Sequence, residues 1–326
     1  MAASSALDHA QRLIRGPYLR WAHDSQLWVE LFVAANLAIL ALDIYIAHST
    51  NQFGKPAEYI PLYFSIAAPI VLAAGIFLRW VAHAAAPWRI AGHIVGWLSI
   101  LTGLAGVLYH LESSFFLERT VRSLTYAAPF AAPLAYSGLG FLLIMNRLTD
   151  PRSAEWARWV ILLALGGFFG NFVLSLTDHA ENGFFAHTEW IPVCSSALAT
   201  GFLLVPLMLP VARRFLDACS GVMLLQAAAG VLGFWFHLQA NLVEPGHNLW
   251  EKLVNGAPPL APLLFPNLVA LAWIGIWAIT PHLPESASQS PGRSSILGAV
   301  HAWASPADGA PPVSADRAIA RYHLPA

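Results

Sequence analysis

The chain has 326 residues, of which 57% are hydrophobic and only 11% are charged, and its formal net charge is −1. A soluble globular domain carries about 25% charged residues, so this composition excludes an ordinary water-soluble fold. The near-neutral charge gives no reason to expect nucleic acid as a partner. The composition therefore predicts a bundle of membrane-spanning helices surrounded by the lipid bilayer.

Taken in chain order, the apolar stretches that reach the spanning length of about 20 residues predict eight transmembrane helices. Residues 1–26 mix arginines with apolar residues, as in a short interfacial helix on the cytoplasmic side. Residues 283–326 are rich in Pro, Ala and Ser and predict a disordered cytoplasmic tail. Between these two segments, 27–147 and 157–282 each hold four helices. The predicted spans are 27–48, 60–82, 90–111, 126–146, 157–179, 190–211, 216–238 and 258–281.

Basic residues divide unevenly between the two sides of this bundle. If the helices alternate in direction, most of the 17 Lys and Arg residues fall on the side of the two termini. The exceptions are Lys55, Arg119, Arg122 and Lys252. The positive-inside rule then predicts a multi-pass protein of the cell inner membrane with both termini in the cytoplasm.

The two sets of four helices share an internal repeat. Three blocks recur in the same order in both halves, and the first aligns 48–61 with 179–192 without a gap. Because each copy has an even number of helices, both copies share one orientation in the membrane. The fold class predicted is an all-α integral membrane protein of eight transmembrane helices, arranged as two parallel four-helix repeats. The matched residues are His48 and His179, Asn51 and Asn182, Phe53 and Phe184, Glu58 and Glu189, Pro61 and Pro192, then Gly103-x-x-Gly106-x-x-x-His110 and Gly230-x-x-Gly233-x-x-x-His237, then Ala128-Pro129-x-x-Ala132-Pro133 and Ala257-Pro258-x-x-Ala261-Pro262.

Histidine ends every odd-numbered predicted helix on the outer, periplasmic side, and a glutamate opens the second helix of each half. Imidazole together with carboxylate suits iron, zinc or oxidised copper. The pattern predicts one metal site around the pseudo-two-fold axis at the outer face, with four further residues orienting its ligands. The predicted ligands are His48, His110, His179, His237, Glu58 and Glu189. The predicted supporting residues are Asn51 and Asn182, which would orient imidazoles, and Glu112 and Gln239.

A simpler interpretation exists for each of these residues. A histidine at a helix C-terminus is stabilised by the helix dipole, and a glutamate at a helix N-terminus likewise. Against this interpretation, the two copies differ at most intervening positions yet agree at His, Asn and Glu. Asp43 has no acidic counterpart in the second copy, and as a carboxylate within the membrane it is a candidate catalytic residue for proton relay or substrate contact.

The leading functional hypothesis is an outward-facing membrane metalloprotein, either an oxidoreductase or an electron-transfer subunit. One alternative is a b-type haem subunit, since paired histidines with glycine one turn away suit a porphyrin; each copy would hold a haem, or His110 and His237 would share one. A transporter or channel built from parallel repeats is a second alternative. A structural subunit that packs against other membrane subunits is a third. The sequence leaves open whether the protein is an enzyme.

Overall fold

The structure is a computed structural model, and it describes residues 24–112, 115–125, 128–243, 245 and 248–283. The regular elements in these ranges are all helical. The predicted interfacial segment before residue 24 and the predicted tail after residue 283 lie outside the described residues. The helices are α1 (Ser25–Ser49), α2 (Tyr59–Trp80), α3 (Ala85–Glu112), α4 (Phe115–Glu118), α5 (Val121–Thr125), α6 (Leu134–Leu148), α7 (Ala154–Glu181), α8 (Trp190–Met208), α9 (Arg213–Val243), α10 (Leu249–Asn255) and α11 (Leu264–Ile279).

Seven helices within the described ranges are long and apolar enough to cross a membrane: α1, α2, α3, α7, α8, α9 and α11 with its flanking turns. Large apolar side chains such as Tyr63, Ile70 and Leu101 lie on the outside of the bundle with 60% or more of their surface exposed. A soluble protein would not present so much apolar surface to water. The protein is therefore a multi-pass helical membrane protein, and seven of the predicted spans are confirmed.

The predicted span 126–146 differs from the structure. The helix found there, α6, begins at Leu134 and has 15 residues, so it is about 22 Å long and shorter than the roughly 30 Å hydrocarbon layer. Pro133 caps its N-terminus, and turns occupy the residues before it. Proline lacks the N–H that a helix interior needs, so the apolar Ala-Pro block bends the chain where hydropathy alone predicted a helix.

Each half packs its four longer helices into a ring. In the first half α1 contacts α2, α2 contacts α3, α3 contacts α6, and α6 returns to α1. In the second half α7, α8, α9 and α11 make the same circuit. Where the halves meet, the last helix of each packs on the first helix of the other, α6 on α7 and α11 on α1.

An amide pair connects the first spanning helix to the last. The Asn36 Nδ2 donates to Asn267 Oδ1 at 3.1 Å, and the Asn267 amide donates back to Asn36 Oδ1. Asn36 Nδ2 also donates to the carbonyl of Phe32 in its own helix at 2.8 Å. Reciprocal bonds satisfy both amides without water, which an apolar environment requires.

The paired glycines of the repeat allow two helices to approach closely. A Cβ added at Gly103 of α3 would lie 2.8 Å from the carbonyl oxygen of Pro133, next to α6. A Cβ added at Gly230 of α9 would lie 2.6 Å from the carbonyl oxygen of Pro262, next to α11. Small residues commonly serve this purpose in membrane helix pairs. In both halves the space is used by a side chain of the neighbouring helix, Ser137 or Pro266, together with the proline carbonyl.

A buried ion pair joins α1 to α6, and the sequence analysis did not predict it. Arg147 Nη2 lies 2.6 Å from Glu30 Oε1, and the two side chains are 0% and 1% exposed. The guanidinium also lies over the ring of Trp88, 3.8 Å from its centroid. The charge pattern of the sequence predicts Arg147 among the basic residues that flank the membrane, whereas the structure places its side chain in the protein interior.

Candidate metal-binding site

The α1 helix ends in a motif that fixes the position of His48. The N–H of Phe53 donates to the His48 carbonyl at 3.0 Å, and that of Gln52 donates to the Ser49 carbonyl at 3.1 Å. Gln52 and Phe53 have φ angles of 57° and 53°. This bonding pattern is that of a Schellman motif, in which the chain reverses directly after the helix. The reversal brings the Phe53 ring to 5.8 Å from the His48 ring.

The α7 helix ends in the same way at His179. The N–H of Phe184 donates to the His179 carbonyl at 3.0 Å, and that of Gly183 donates to the Ala180 carbonyl at 3.0 Å. Gly183 has a φ of 71° and Phe184 a φ of 51°. The rings of Phe184 and His179 are 6.2 Å apart. Each half therefore ends its first helix at a histidine that packs against a phenylalanine.

The two loops then return the chain to the glutamates. The Phe53 ring stacks on Tyr59 at 4.7 Å, and the Phe184 ring stacks on Trp190 at 4.1 Å. Tyr59 and Trp190 directly follow Glu58 and Glu189 in the sequence, so the stacked rings hold each glutamate beside the preceding helix. We call the side of the bundle that carries the C-termini of α1, α3, α7 and α9 the histidine face.

Both halves contribute to this one face. The Thr50 hydroxyl, next to the end of α1, donates to the carbonyl of Val254 in α10 at 3.1 Å. The ring of Tyr45 packs 5.5 Å from that of Trp250, also in α10. Since α10 follows α9 closely, the ends of α1 and α9 lie on the same side of the protein.

In both halves a histidine faces a buried carboxylate oxygen. His48 Nδ1 is 3.5 Å from Glu58 Oε2, and His179 Nδ1 is 3.7 Å from Glu189 Oε2. The glutamate side chains are 12% and 10% exposed. Among the described residues, neither of these two carboxylate oxygens has a hydrogen-bond partner. The two distances exceed the 2.7–3.2 Å of an N–H···O bond, so each pair is close but not hydrogen-bonded.

The other predicted histidine ligand of the first half is His110. Its ring centroid lies 6.3 Å from that of His48, with the ring planes near perpendicular. Its Nδ1 is 2.9 Å from the carbonyl oxygen of Pro129. A carbonyl only accepts, so Nδ1 carries the proton and the lone pair of the neutral ring is on Nε2. Metal-binding histidines commonly use one ring nitrogen in this way while the other binds the ion.

The second half repeats this arrangement with His237. Its Nδ1 is 2.8 Å from the carbonyl oxygen of Pro258, which matches Pro129 in the repeat. His237 and His179 are close enough to interact electrostatically. The Ala-Pro blocks thus have a role at the site in both halves, because each supplies the carbonyl that orients a histidine ring.

The predicted ligands therefore lie in two groups of three, one in each half. We call them the first cluster (His48, Glu58 and His110) and the second cluster (His179, Glu189 and His237). The contacts that the structure gives for these residues fall within the halves, whereas the sequence analysis had placed all six around a single axis.

Neither cluster is closed tightly around a point. In the part of the chain that the structure describes, no three His, Cys, Asp or Glu side chains are arranged to hold a metal ion as they stand. Two imidazoles bound to one tetrahedral ion have ring centroids about 5 Å apart. The ring centroids of His48 and His110 are 6.3 Å apart, which is longer than this. A shared ion therefore requires the two rings to approach each other by about 1 Å.

The predicted supporting residues have different surroundings from those expected. Asn51 Nδ2 donates to Glu58 Oε1 at 2.9 Å, so it orients the carboxylate and not an imidazole. Asn182 is the exposed C-cap residue of α7. Glu112 and Gln239 are exposed near the ends of α3 and α9.

Asp43 lies deeper in the first half, on α1, and is half-buried. It is within electrostatic reach of Tyr136 on α6. The Tyr136 hydroxyl is hydrogen-bonded to the Ser65 hydroxyl and lies 3.1 Å from the carbonyl oxygen of Pro61. Tyr136 was not among the predicted site residues. The signal that could have found it is that the matched residue in the second half is Phe265, which lacks the hydroxyl.

The glycine contacts bear on the haem alternative. The glycines near His110 and His237 had suggested room for a flat porphyrin. A Cβ added at Gly106 would instead lie 2.7 Å from the Pro133 side chain, and one at Gly233 would lie 3.0 Å from that of Pro262. The space in front of these glycines is already used by the proline of the neighbouring segment.

Three comparisons bear on the identity of the chain: with known protein families, with curated proteins and with solved structures. None of the three comparisons finds a match. Function is therefore inferred from the residues of the site.

Proposed function

We propose that this membrane protein binds one metal ion in each half, at the histidine face, through the first and second clusters. The ion would be iron, zinc or copper, since imidazole and carboxylate ligands suit all three. Two histidines and one glutamate leave at least one coordination position open, as in catalytic metal sites. The proposed activity is that of an oxidoreductase or an electron-transfer subunit that works at the membrane surface.

The observation that carries this proposal is the spacing of histidine and glutamate. Two ligands at about 2.0–2.2 Å from a tetrahedral ion stand about 3.4 Å apart. The Nδ1–Oε2 distances are 3.5 Å in the first cluster and 3.7 Å in the second. Burying a carboxylate oxygen without a partner is unfavourable, and a bound cation would remove that cost. The same spacing occurs in both halves.

The proposed architecture is that of two parallel four-helix repeats. The shorter helix α6 is the fourth helix of the first repeat and corresponds to α11 in the second. The matching circuits of helix contacts support it, as do the contacts of α6 with α7 and of α11 with α1. A rotation about the membrane normal exchanges these two interfaces. The matched bonds of His110 to Pro129 and of His237 to Pro258 support it too.

We place the histidine face outside the inner membrane, with both termini in the cytoplasm. Among the described residues, the opposite face carries Arg79, Arg89, Arg152, Arg158, Arg213 and Arg214, against four basic residues on the histidine face. Positive charge marks the cytoplasmic side of a membrane protein. Metal ions and substrates would then reach the clusters from the periplasm, and other membrane subunits could pack against the apolar sides.

Metal analysis of the detergent-purified protein tests the proposal. We expect one ion per half in the wild type after incubation with iron, zinc or copper and removal of excess metal. His110→Ala should lose the ion of the first cluster only, and His237→Ala that of the second only, while the double variant should hold neither. His93→Ala, at the opposite end of α3, is the matched control and should keep both.

Two results would contradict the proposal. A wild-type protein that retains none of the three metals excludes a metal site at either cluster. A Soret band in the optical spectrum of the purified protein would instead favour the haem alternative.

A further inference from the structure

The two halves differ in how closely their third and fourth helices pack at the face opposite the histidines. In the first half, α3 carries Gly92 and Gly96 where it contacts α6. A Cβ added at Gly92 would collide with the guanidinium of Arg147, and one added at Gly96 would lie 2.8 Å from the side chain of Ile144. The two helices are therefore in close contact here, as small residues allow.

The second half has larger residues at the equivalent positions. By the repeat alignment, the two glycines correspond to Cys219 and Met223 of α9, and both of these side chains are 0% exposed. Gly140 of α6 likewise corresponds to the buried Val269 of α11. Buried side chains take up room that glycine leaves free. The helices α9 and α11 are therefore less closely packed than α3 and α6.

A groove of about 490 Å³ lies between the start of α9 and the end of α11. Its lining residues fall within 213–220 and 273–281, so it extends about 10–12 Å along each helix. It is on the face opposite the histidines, where α9 begins and α11 ends. The volume is typical of a site for a small molecule. Its polar and aromatic lining consists of Arg213, Asp217, Ser220, Trp273, Trp277 and Thr280.

The groove carries one charged side chain of each sign. Arg213 Nε donates to Asp217 Oδ1 at 3.2 Å, and both side chains are exposed. An exposed ion pair of this kind adds little to stability. The bond uses one guanidinium nitrogen and one carboxylate oxygen, and each group has further atoms with which to bind a ligand. A lining with one cation and one anion complements a zwitterion better than it complements a ligand of a single charge.

The two hydroxyl groups of the groove are arranged to accept hydrogen bonds. The Ser220 hydroxyl donates to the carbonyl of Leu216 at 3.0 Å, and the Thr280 hydroxyl donates to the carbonyl of Ile276 at 2.7 Å. Each hydroxyl has only one hydrogen, so its oxygen is left to accept from a ligand. An ammonium group is a ligand that donates hydrogen bonds and accepts none.

The remaining lining is aromatic and apolar. Trp273 and Trp277 are one turn apart on α11 and exposed, whereas Leu216 and Ile276 are buried. Tryptophan faces attract ammonium groups, and tryptophan is enriched at the headgroup level of a bilayer. The groove thus combines a polar lining for a headgroup with an apolar surface for a hydrocarbon chain.

We propose that this groove binds one zwitterionic phospholipid of the bilayer. Its phosphate binds the guanidinium of Arg213, and its ammonium group binds Asp217 and the tryptophan rings. The start of its acyl chains lies against Leu216 and Ile276. The first half has no equivalent site, because its glycines bring α3 and α6 together. This binding goes beyond the proposed metal sites and does not require them.

Native mass spectrometry of the delipidated full chain in detergent tests the proposal. The protein is titrated with equal amounts of dioleoyl phosphatidylethanolamine, which is zwitterionic, and dioleoyl phosphatidylglycerol, which is anionic. We expect one phosphatidylethanolamine per chain, bound more tightly than phosphatidylglycerol. Trp277→Ala should weaken its binding by about tenfold. Asp217→Asn should lower the preference for phosphatidylethanolamine by roughly threefold, while Asp217→Glu should keep it.

Leu148→Ala is the matched control, because Leu148 of α6 corresponds to Trp277 in the repeat, and it should leave lipid binding unchanged. Gel filtration and thermal unfolding establish that each variant is folded; Asp217→Asn alters an exposed pair and decides the matter if Trp277→Ala is unfolded. A wild type that retains no phospholipid, or that binds both lipids equally, overturns the inference, as does an Asp217→Asn preference equal to that of the wild type. His237→Ala separates lipid from metal, since this variant should lose metal from the second cluster and still bind the lipid.

Discussion

Arg147 Nη2 lies 2.6 Å from Glu30 Oε1 within a region where both side chains are shielded almost completely. The equivalent positions of the second half hold Ile161 and Ile276. Glu30→Ile alone should lower the free energy of unfolding by about 3–5 kcal/mol, because it leaves a buried cation unpaired. The double variant Glu30→Ile with Arg147→Ile should recover most of that loss. Thermal unfolding in detergent measures both, and a double variant as unstable as the single one would show that the pair is structural.

Asn51 should affect metal binding in one half only. It donates to Glu58 Oε1 at 2.9 Å, whereas Asn182 is exposed at the end of α7. Asn51→Ala should weaken binding at the first cluster by about 10–100-fold, the usual effect of losing a residue that orients a ligand. Isothermal titration of the wild type, Asn51→Ala and Asn182→Ala measures the two sites, and equal effects of the two substitutions would contradict the assignment.

The glycine at the contact of α3 with α6 should not tolerate a methyl group. At Gly103 an added Cβ would lie 2.7 Å from the backbone nitrogen of Ser137, so Gly103→Ala should lower the free energy of unfolding by about 1–3 kcal/mol. Gly138→Ala is the control, because nothing lies within 4 Å of a Cβ there and alanine favours a helix. Thermal unfolding compares the two. Equal stability of both variants would mean that α3 and α6 are further apart than described.

The loop after α1 offers a test of the Schellman motif. Gln52 has a φ of 57° where the second half has Gly183 with a φ of 71°. Left-handed backbone costs a residue with a Cβ roughly 1–2 kcal/mol, and glycine avoids this cost. Gln52→Gly should therefore raise the free energy of unfolding by about 0.5–1 kcal/mol, and Gly183→Ala should lower it by about 1 kcal/mol. Chemical denaturation in mixed micelles measures both changes, whose signs should be opposite.

Orientation in the membrane can be tested with single cysteines in a chain whose native Cys194 and Cys219 are replaced by serine. A membrane-impermeant maleimide applied to intact spheroplasts should label Asn182→Cys on the histidine face. It should label Asp150→Cys, in the turn between α6 and α7, only after the membrane is permeabilised. The reverse pattern would place the histidine face in the cytoplasm.

Much of the fold follows from hydropathy, since seven spans depend only on the length of apolar segments. Hydropathy does not predict the helix in the span 126–146 correctly, because Ala, Pro and Leu count as apolar whether or not they form a helix. Pro133 determines that α6 begins at Leu134, and hydropathy carries no information on missing N–H groups.

The site could be predicted in its residues but not in its grouping. The internal repeat identified the histidines and glutamates. The proximity of His48 to His110 depends on how the helices of the first half pack, which the repeat does not determine. Asn51 was expected to orient an imidazole, whereas its amide donates to Glu58 Oε1, because the spacing in the sequence does not distinguish these two neighbouring partners. Glu30 was visible as an acidic residue inside an apolar segment, but Arg147 looked like the end of a helix, so nothing in the sequence joined the two.

The amide pair of Asn36 and Asn267 has a consequence for biosynthesis. The two residues are 231 positions apart, and at about 5–20 residues per second the ribosome needs on the order of 10–50 s to make the intervening chain. During that interval α1 resides in the bilayer without its eventual partner. The carbonyl of Phe32, 2.8 Å from Asn36 Nδ2, can satisfy the amide in the meantime. A nascent chain truncated before α11 would keep this bond within α1 but lack the bonds to Asn267, and would leave the first helix accessible to insertion factors that recognise polar groups in lipid.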